Sequence, residues 1–452
     1  MKPKRVPSLL ITGLILVSAG AACAGEATQF PLKPSASGRH LVDQRGTPFF
    51  YNADTPWMVF LKLTEAEADE YFETRQAQGF NAVQIIMTGF LGTTNRAGEL
   101  PFAGTTNAQD FAQPNEKFFA HVDRVIENAT KRGLFLAIAP AWSGCCGEGW
   151  AGKNKDGSLK PLNANGPEKS RELGRWLGKR YAKNQNIMWI LGGDIDPDNA
   201  RDSIRALALG LKESAPHHLL TYHASSSHSS TDVWPKENWI DVPMVYTYFR
   251  GFNKAWNKNQ PDVYEVGWKE YAKSPTRPFF LGESTYEGEH SAWGSALQAR
   301  KQAYWAVLSG GFGNAYGSPN WNMPKNWREV LKLPGAASLK HFRALFESRE
   351  WWKLVPDSKN AFVTTGHGTM ATNDLAVAAL ANDGSFGIVY LPSIRPLTLD
   401  LGKFAKAPVQ VTWFDPRHGT FEKEGAFPNT GPLNVTRVAS DDWVLVLEGA
   451  NR

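Results

Sequence analysis

The sequence predicts a closed (β/α)8 TIM barrel, an α/β fold, followed by a small C-terminal antiparallel β-sandwich. Three observations carry this. Eight short apolar runs recur between residues 48 and 318. Helices with clear amphipathic period, or long loops, separate them. After about Glu350 the helical period stops, while short strands and turn signals continue.

The runs are Pro48–Asp54, Ala82–Thr88, Phe135–Ala141, Ile187–Asp194, Leu219–Ser225, Met244–Phe249, Pro278–Ser284 and Phe312–Ser318. They are nearly continuous in Ile, Val, Phe and Tyr, as strands buried on both faces of a parallel sheet must be. Between the first two, Thr64-x-x-Glu67 reads as a capping box opening a helix that ends near Gly79. Phe118, Val122, Val125, Ile126 and Ala129 form one helical stripe, stopping at Gly133. Leu173, Trp176, Leu177 and Tyr181 form a second, and Ile204, Leu207, Ala208 and Leu211 a third. Ala296, Ala299, Ala303, Tyr304 and Val307 form a fourth before Gly310-Gly311. The rival fold is an open doubly wound sheet, which usually carries a Gly-rich phosphate loop after its first strand. Asn52-Ala53-Asp54-Thr55-Pro56-Trp57 is no such loop.

Residues 1–24 read as a signal peptide: Lys2, Lys4 and Arg5, then the apolar Leu9–Leu16, then Ala22-Cys23-Ala24 as an A-x-A cleavage site. Export to the periplasm or beyond is therefore expected. Cys23 leaves lipid modification open, although Gly20 stands where a lipoprotein signal usually has a branched aliphatic residue. The barrel is assigned to 25–351 and the sandwich to 352–452. The sandwich strands are Ala361–Thr365, Leu375–Ala381, Phe386–Leu391, Val409–Phe414 and Trp443–Leu447.

The 452 residues are 42% apolar and 21% charged, the profile of a folded soluble protein. No later run is long and apolar enough to span a bilayer. The formal charge of +5 falls to +2 once the leader's three positive residues leave. With no Lys/Arg-rich run, nucleic acid is not an expected partner. Aromatics reach 12%, with 17 Trp, and flat rings are what sugar clefts use. Cys145 and Cys146 are adjacent, and are read either as loop thiols or as a vicinal disulfide formed in an oxidising compartment. No acid or His adjoins them in sequence to activate a thiolate, so neither is expected to be needed for catalysis.

Barrel enzymes work at the C-terminal ends of their strands. The polar residues closing each run are Asp54, Thr88, Trp142 just past the third, Asp194, His223, Tyr246, Glu283 and Ser318. Two carboxyl groups among aromatics suit glycoside hydrolysis, which needs one acid to protonate the leaving oxygen and a carboxylate to attack carbon or activate water. Asp194 follows Gly192-Gly193, which leave room beside it; the alternative for it is a helix N-cap. Glu283 ends an apolar strand, where a charge needs a partner or a task. The alternative for it is a salt bridge with Arg250 or Arg277. The fourth and seventh strands face each other across an eight-strand ring, so both acids can meet one sugar. Asp196 and Asp198 are read as solvated or capping, and Glu287 and Glu289 as less well placed.

Substrate-binding candidates are Asp54, Trp57, Trp142, His223, Tyr246, Tyr286 and Trp321. His223 is placed to bond a hydroxyl or pair with a carboxylate, and Tyr246 to donate to Glu283. No metal ligand set or cofactor is indicated, and H-E-x-x-H is absent. The serines of 225–230 lack a G-x-S-x-G elbow and are read as a polar loop.

Phe50-Tyr51-Asn52-Ala53-Asp54-Thr55-Pro56-Trp57 resembles the D-T-x-W opening of the apiosidase-like barrels, glycoside hydrolase family 140 and relatives. Leu63-Thr64-Glu65-Ala66-Glu67 with Tyr71, Arg75 and Gln78-Gly79-Phe80-Asn81 is similar too, as are Asn186–Asp194 and Gly282–Gly288. Trp413-Phe414-Asp415-Pro416-Arg417-His418-Gly419 resembles the W-x-D-P-R-x-G of the β-domain that follows this barrel. The resemblance implies an acid/base at Asp194, a nucleophile at Glu283 and, for the characterised type, cleavage of apiosyl linkages in pectin (rhamnogalacturonan II). The Cys145-Cys146 pair and the Trp-rich stretch from Trp142 to Trp150 depart from it. That β-domain has been called collagen-binding in related sequences, and no feature here points to collagen.

The expected activity is retaining hydrolysis of a glycosidic linkage in a plant cell-wall polysaccharide side chain, with carboxyl groups about 5–5.5 Å apart. The alternatives are a barrel that only binds glycan, and a transglycosylase using the same carboxylate pair.

Overall fold

The computed structural model describes residues 27–248, 250, 260–437, 439 and 441–450. The leader of 1–24, with Cys23, lies outside the described residues. Eight parallel strands form one sheet curled into a near-barrel: β1 Tyr51–Asp54, β2 Ala82–Ile86, β3 Phe135–Ala139, β4 Ile187–Gly192, β5 Leu219–His223, β6 Met244–Tyr246, β7 Phe280–Glu283 and β8 Gly313–Tyr316. Their hydrogen-bonded order is β5-β4-β3-β2-β1-β8-β7-β6. At the β5–β6 seam a side chain does what a ladder does elsewhere. The Ser230 hydroxyl donates to the Tyr222 carbonyl at 2.6 Å and accepts the Met244 N–H at 2.8 Å. Ser229 makes a single antiparallel bridge to Val245. Part of the serine loop thus closes the ring.

The strands are buried on both faces, which is why they read as unbroken apolar runs. Tyr51, Phe135, Phe280 and Phe312 fill the barrel floor, with Tyr51 and Phe280 rings 4.8 Å apart. Around the barrel run α1 Glu65–Ala77, α2 Glu116–Lys131, α3 Gly166–Tyr181, α4 Arg201–Ser214, α5 Val263–Tyr271, α6 Ala296–Leu308 and α7 Pro334–Glu347. The capping box at Thr64 and Glu67 is present, and the α2 stripe faces the core. No helix among the described residues is long and apolar enough to cross a membrane.

The first run divides. Pro48–Phe49 joins a small three-stranded N-terminal sheet and only Tyr51–Asp54 enters the barrel. A hairpin of Phe102–Thr105 and Ala108–Pro114, without a sequence signal of its own, lies between β2 and α2.

The C-terminal region holds β9 Leu354–Pro356, β10 Val363–Thr365, β11 Val377–Ala381, β12 Phe386–Leu391, β13 Leu397–Asp400, β14 Val409–Asp415, β15 Thr420–Phe427, β16 Pro432–Val435 and β17 Trp443–Gly449. They form an antiparallel six-stranded sheet, β9-β11-β12-β17-β14-β15, and a three-stranded one, β10-β13-β16. One face of the larger sheet docks on α6. Tyr304 and Tyr390 stack 4.6 Å apart, and buried Arg300 grips Asp442 through two hydrogen bonds of 2.9 and 2.7 Å.

Candidate active site

Two glycines build the Asp194 tip. Gly192 and Gly193 have φ of +85° and +131°, open to glycine and strained for other residues. A Cβ at Gly193 would strike the Trp142 ring, and one at Gly192 the Tyr222 ring. Asp194 is itself left-handed, at φ +56°, a conformation Asp tolerates better than most residues. Backbone bonds hold the turn. Gly193 N–H donates to the His223 carbonyl, and Gly144 N–H to the Gly193 carbonyl, each at 2.9 Å.

Glu283 is the last residue of β7. Gly282 precedes it because a Cβ there would collide with Met244. Across the barrel, buried Gln84 donates to the Gly282 carbonyl at 2.6 Å and fixes that backbone. Glu283 and Asp194 meet at the cleft floor with buried His223, each offering a donor atom within 4.8 Å of the others. Ligand atoms this close could hold a cation. However, the 2.6 Å separation of His223 Nε2 and Glu283 is that of a charge-assisted hydrogen bond.

His223 couples the two acids. Its Nε2–H donates to Glu283. When the ring is neutral, Nδ1 accepts the Asp194 N–H at 3.2 Å; when it is protonated, Nδ1–H donates to the Ala224 carbonyl at 3.0 Å. Burial by itself would lower its pKa, but the bond to Glu283 and the charges of Glu283 and Asp194 outweigh burial and raise it.

Asp194 is pushed up to about 7, first by desolvation at the crowded floor and then by the Glu283 charge, with Glu148 adding to both. His223 and a hydrogen bond from Tyr246 act against this. A carboxyl protonated near neutrality beside a hydrogen-bonded carboxylate is the division of labour that glycoside cleavage requires.

Two hollows open on this floor. One, of about 610 Å³, is lined by Trp57, Trp142, Tyr286, Trp321, Cys146 and Glu283 among others. The second, of about 530 Å³, is lined by Ser225, Ser226, Ser227, His228, Tyr246 and Cys145 among others. Asp194 borders both.

Asp194, Glu283, Trp57, Trp142, Tyr246, Tyr286 and Trp321 thus come together. Trp57 donates to the Tyr286 hydroxyl at 2.6 Å, and Trp321 to Glu289 at 2.6 Å. Asp54 does not join them. Its carboxylate is buried against α1, ion-paired with Arg75 at 2.8 Å and hydrogen-bonded by Tyr71. His223 lies behind the floor, pairing with a carboxylate instead of reaching a sugar hydroxyl. Tyr246 bonds Asp194, while Glu283 takes its donor from His223.

Among the described residues no arginine holds Glu283. Arg250 pairs with Asp262 and Glu265, and Arg277 donates to the Glu237 and Ile240 carbonyls. Asp196 stands at the N-cap position of the short turn Pro197–Asn199 without a side-chain cap bond, and its partly exposed carboxylate accepts from Ser225 and pairs with His228 at 3.1 Å. Cys145 and Cys146 are bonded to each other. Glu148, Phe90, Tyr248 and His290 also line the larger hollow. All four sit in loops; Tyr248 belongs to the predicted run Met244–Phe249, but strand β6 stops at Tyr246. Glu289 lines it too, its pKa raised by burial.

A family model described as apiosidase-like, catalytic domain, matches residues 35–353. A second, named for a collagen-binding domain of a collagenase, matches 356–448. Among curated proteins none matches significantly. A solved glycoside hydrolase structure superposes with a TM-score of 0.80 at 24% identity, covering 94% of this chain and 99% of that one. A glycoside hydrolase family 5 structure from Bacteroides vulgatus ATCC 8482 gives 0.81 at 23%, covering 92% and 93%. An α-amylase from Malbranchea cinnamomea gives 0.56 at 11%, covering 88% and 96%. At these identities the structural likeness is one of fold.

Proposed function

The chain belongs to the apiosidase-like family and carries a glycoside hydrolase catalytic domain; from that premise we propose that it is a retaining glycosidase releasing apiosyl side-chain residues from a plant cell-wall polysaccharide such as pectin. The observation that carries the mechanism is the close, unequal pair on the cleft floor: carboxyl oxygens within 4.8 Å, one acid held near pKa 7 and the other receiving a hydrogen bond from His223. Facing oxygens this close favour direct attack over the wider arrangement, roughly 6.5–9.5 Å between the carboxyl groups, in which an inverting pair holds a water.

In the first step Asp194, protonated, gives its proton to the glycosidic oxygen while Glu283 attacks the anomeric carbon. The bond to the leaving group breaks as the ester to Glu283 forms. That ester removes the negative charge which, after burial, does most to raise the Asp194 pKa. Asp194 therefore becomes the stronger acid when its next task is to act as base. It takes a proton from water, the water attacks the same carbon, and Glu283 leaves as carboxylate. Trp57, Trp142 and Trp321 line the hollow that would take the sugar. The leader-like residues 1–24 support work outside the cytoplasm, where such polysaccharides are met.

The test is a panel of plant polysaccharides that includes rhamnogalacturonan II. Release of apiose or apiose-ended fragments, lost in Glu283→Gln, is the expected result. No cleavage anywhere on the panel, or a Glu283→Gln enzyme within about threefold of wild type, overturns the reading, because covalent and acid–base groups are each worth ~10^2-fold or more.

A further inference from the structure

We propose that the Cys145–Cys146 disulfide is a glycan-contacting ridge, standing between the hollow that holds the transferred sugar and the hollow that holds the leaving group. This rests on the glycosidase reading above and adds a binding element to it.

The chemistry orients the cleft. A nucleophile must lie beneath the anomeric carbon, so the hollow containing Glu283 takes the transferred sugar. The acid must reach the oxygen between the two sugars, and Asp194 borders both hollows. The serine-lined hollow, which Glu283 does not border, then takes the leaving group. Cys146 faces the first hollow and Cys145 the second, so the bonded pair flanks the same boundary as Asp194.

Cysteine is among the residues most often buried, yet both of these are exposed. A disulfide between neighbours closes a small ring with few internal rotations. Its outer face is apolar and polarisable, suited to the C–H face of a sugar. The ridge is fixed to the catalytic turn. Ser143 and Gly144 donate their N–H groups to the carbonyls of Gly192 and Gly193, the residues that shape the Asp194 tip, at 2.9 Å each. Its other side is held by the Cys146 N–H to Glu148, at 2.9 Å, and by Lys160 to the Gly147 carbonyl, at 2.8 Å. Trp142, which packs against Gly193, carries the same unit toward the transferred sugar. Opened to two thiols, the ridge would gain rotamers that binding must freeze and would lose its single face.

The experiment compares wild type with the double variant Cys145→Ser, Cys146→Ser, and separately with wild type reduced by dithiothreitol and then reoxidised. Two substrates are used: a glycan fragment that wild type cleaves, and the methyl glycoside of the same sugar, whose leaving group fills little of the second hollow. The expected result is a KM for the fragment raised about tenfold, roughly 1.4 kcal/mol, with kcat nearly unchanged. The rise should be smaller for the methyl glycoside, and reoxidation should reverse it. An unchanged KM in both the variant and the reduced enzyme overturns the ridge. So does an equal loss for both substrates that tracks loss of folded protein. If the double variant does not fold, reversible reduction gives the same readings. A wild type that cleaves no glycan overturns the glycosidase reading itself, whereas a cleaving enzyme indifferent to the disulfide overturns only the ridge.

Discussion

Replacing Asp194 by Asn should stabilise the protein while nearly abolishing its activity. The Asp194 pKa rises from 3.8 to about 7 in the folded chain. The unfolded chain ionises this group first, so between those pH values folding is increasingly penalised, and above about 7 the penalty is constant. The full shift corresponds to an upper bound of about 4 kcal/mol. Because the group borders the cleft and part of the shift is the Glu283 charge, about 1–2 kcal/mol is the expected gain. Asn has the same shape, keeps the left-handed turn accessible and carries no charge to desolvate. The assay is thermal unfolding of both proteins from pH 4 to pH 9. The variant's advantage should be close to nothing at pH 4, grow through the interval and level off above 7, while turnover falls ~10^2–10^4-fold. A variant less stable than wild type at pH 8, or an advantage independent of pH, would refute the buried-charge reasoning.

Other expectations follow from the same contacts. Since Asp194 must be protonated to act, kcat/KM should fall on the alkaline side with an apparent pKa near 7, and a pH–rate profile checks this. Asp54→Asn breaks a fully buried pair with Arg75 and should cost about 3–5 kcal/mol in unfolding measurements, with kcat of the folded fraction retained; a specific loss of kcat would return Asp54 to the site. Asp415 accepts from Arg417 and His418, which, despite the burial that opposes them, hold its carboxyl below the usual range. That stability is present above the unfolded pKa and is lost as pH falls, so Asp415→Asn should lower the melting temperature at pH 7, differ less from wild type in acid, and leave turnover of a small soluble substrate unchanged.

Much of the site was legible because barrel chemistry concentrates at strand ends, and a charge closing an apolar strand needs a reason. Asp194 and Glu283 satisfied both conditions and stand together. Asp54 satisfied the same rule and does not join them, because strand residues alternate faces and its side chain leaves the barrel toward α1. The signal that could have corrected it is Tyr71 with Arg75: four apart on one helix, they present a hydroxyl and a guanidinium to the same place. His223 closes β5, as its run predicts, but its role depends on Glu283, sixty residues away, which no local pattern encodes. The strand β15 leaves no sequence signal because it is mostly exposed and polar, and so lacks the apolar alternation that marks a half-buried strand. The adjacent cysteines were visible, whereas their position over the cleft depends on how the loop after β3 folds back on Gly192 and Gly193.

The pairing of Asp194 as acid/base with Glu283 as nucleophile is tested most directly by the anomeric configuration of the first sugar released. Proton NMR recorded before mutarotation reads it on whichever polysaccharide the enzyme cleaves. One oxygen of each carboxyl lies within 4.8 Å of the other; on the proposed mechanism Glu283 attacks directly, two displacements occur, and the product should keep the configuration of the substrate. A first-formed product of inverted configuration would mean that a water attacked directly, and Glu283 could not be the nucleophile.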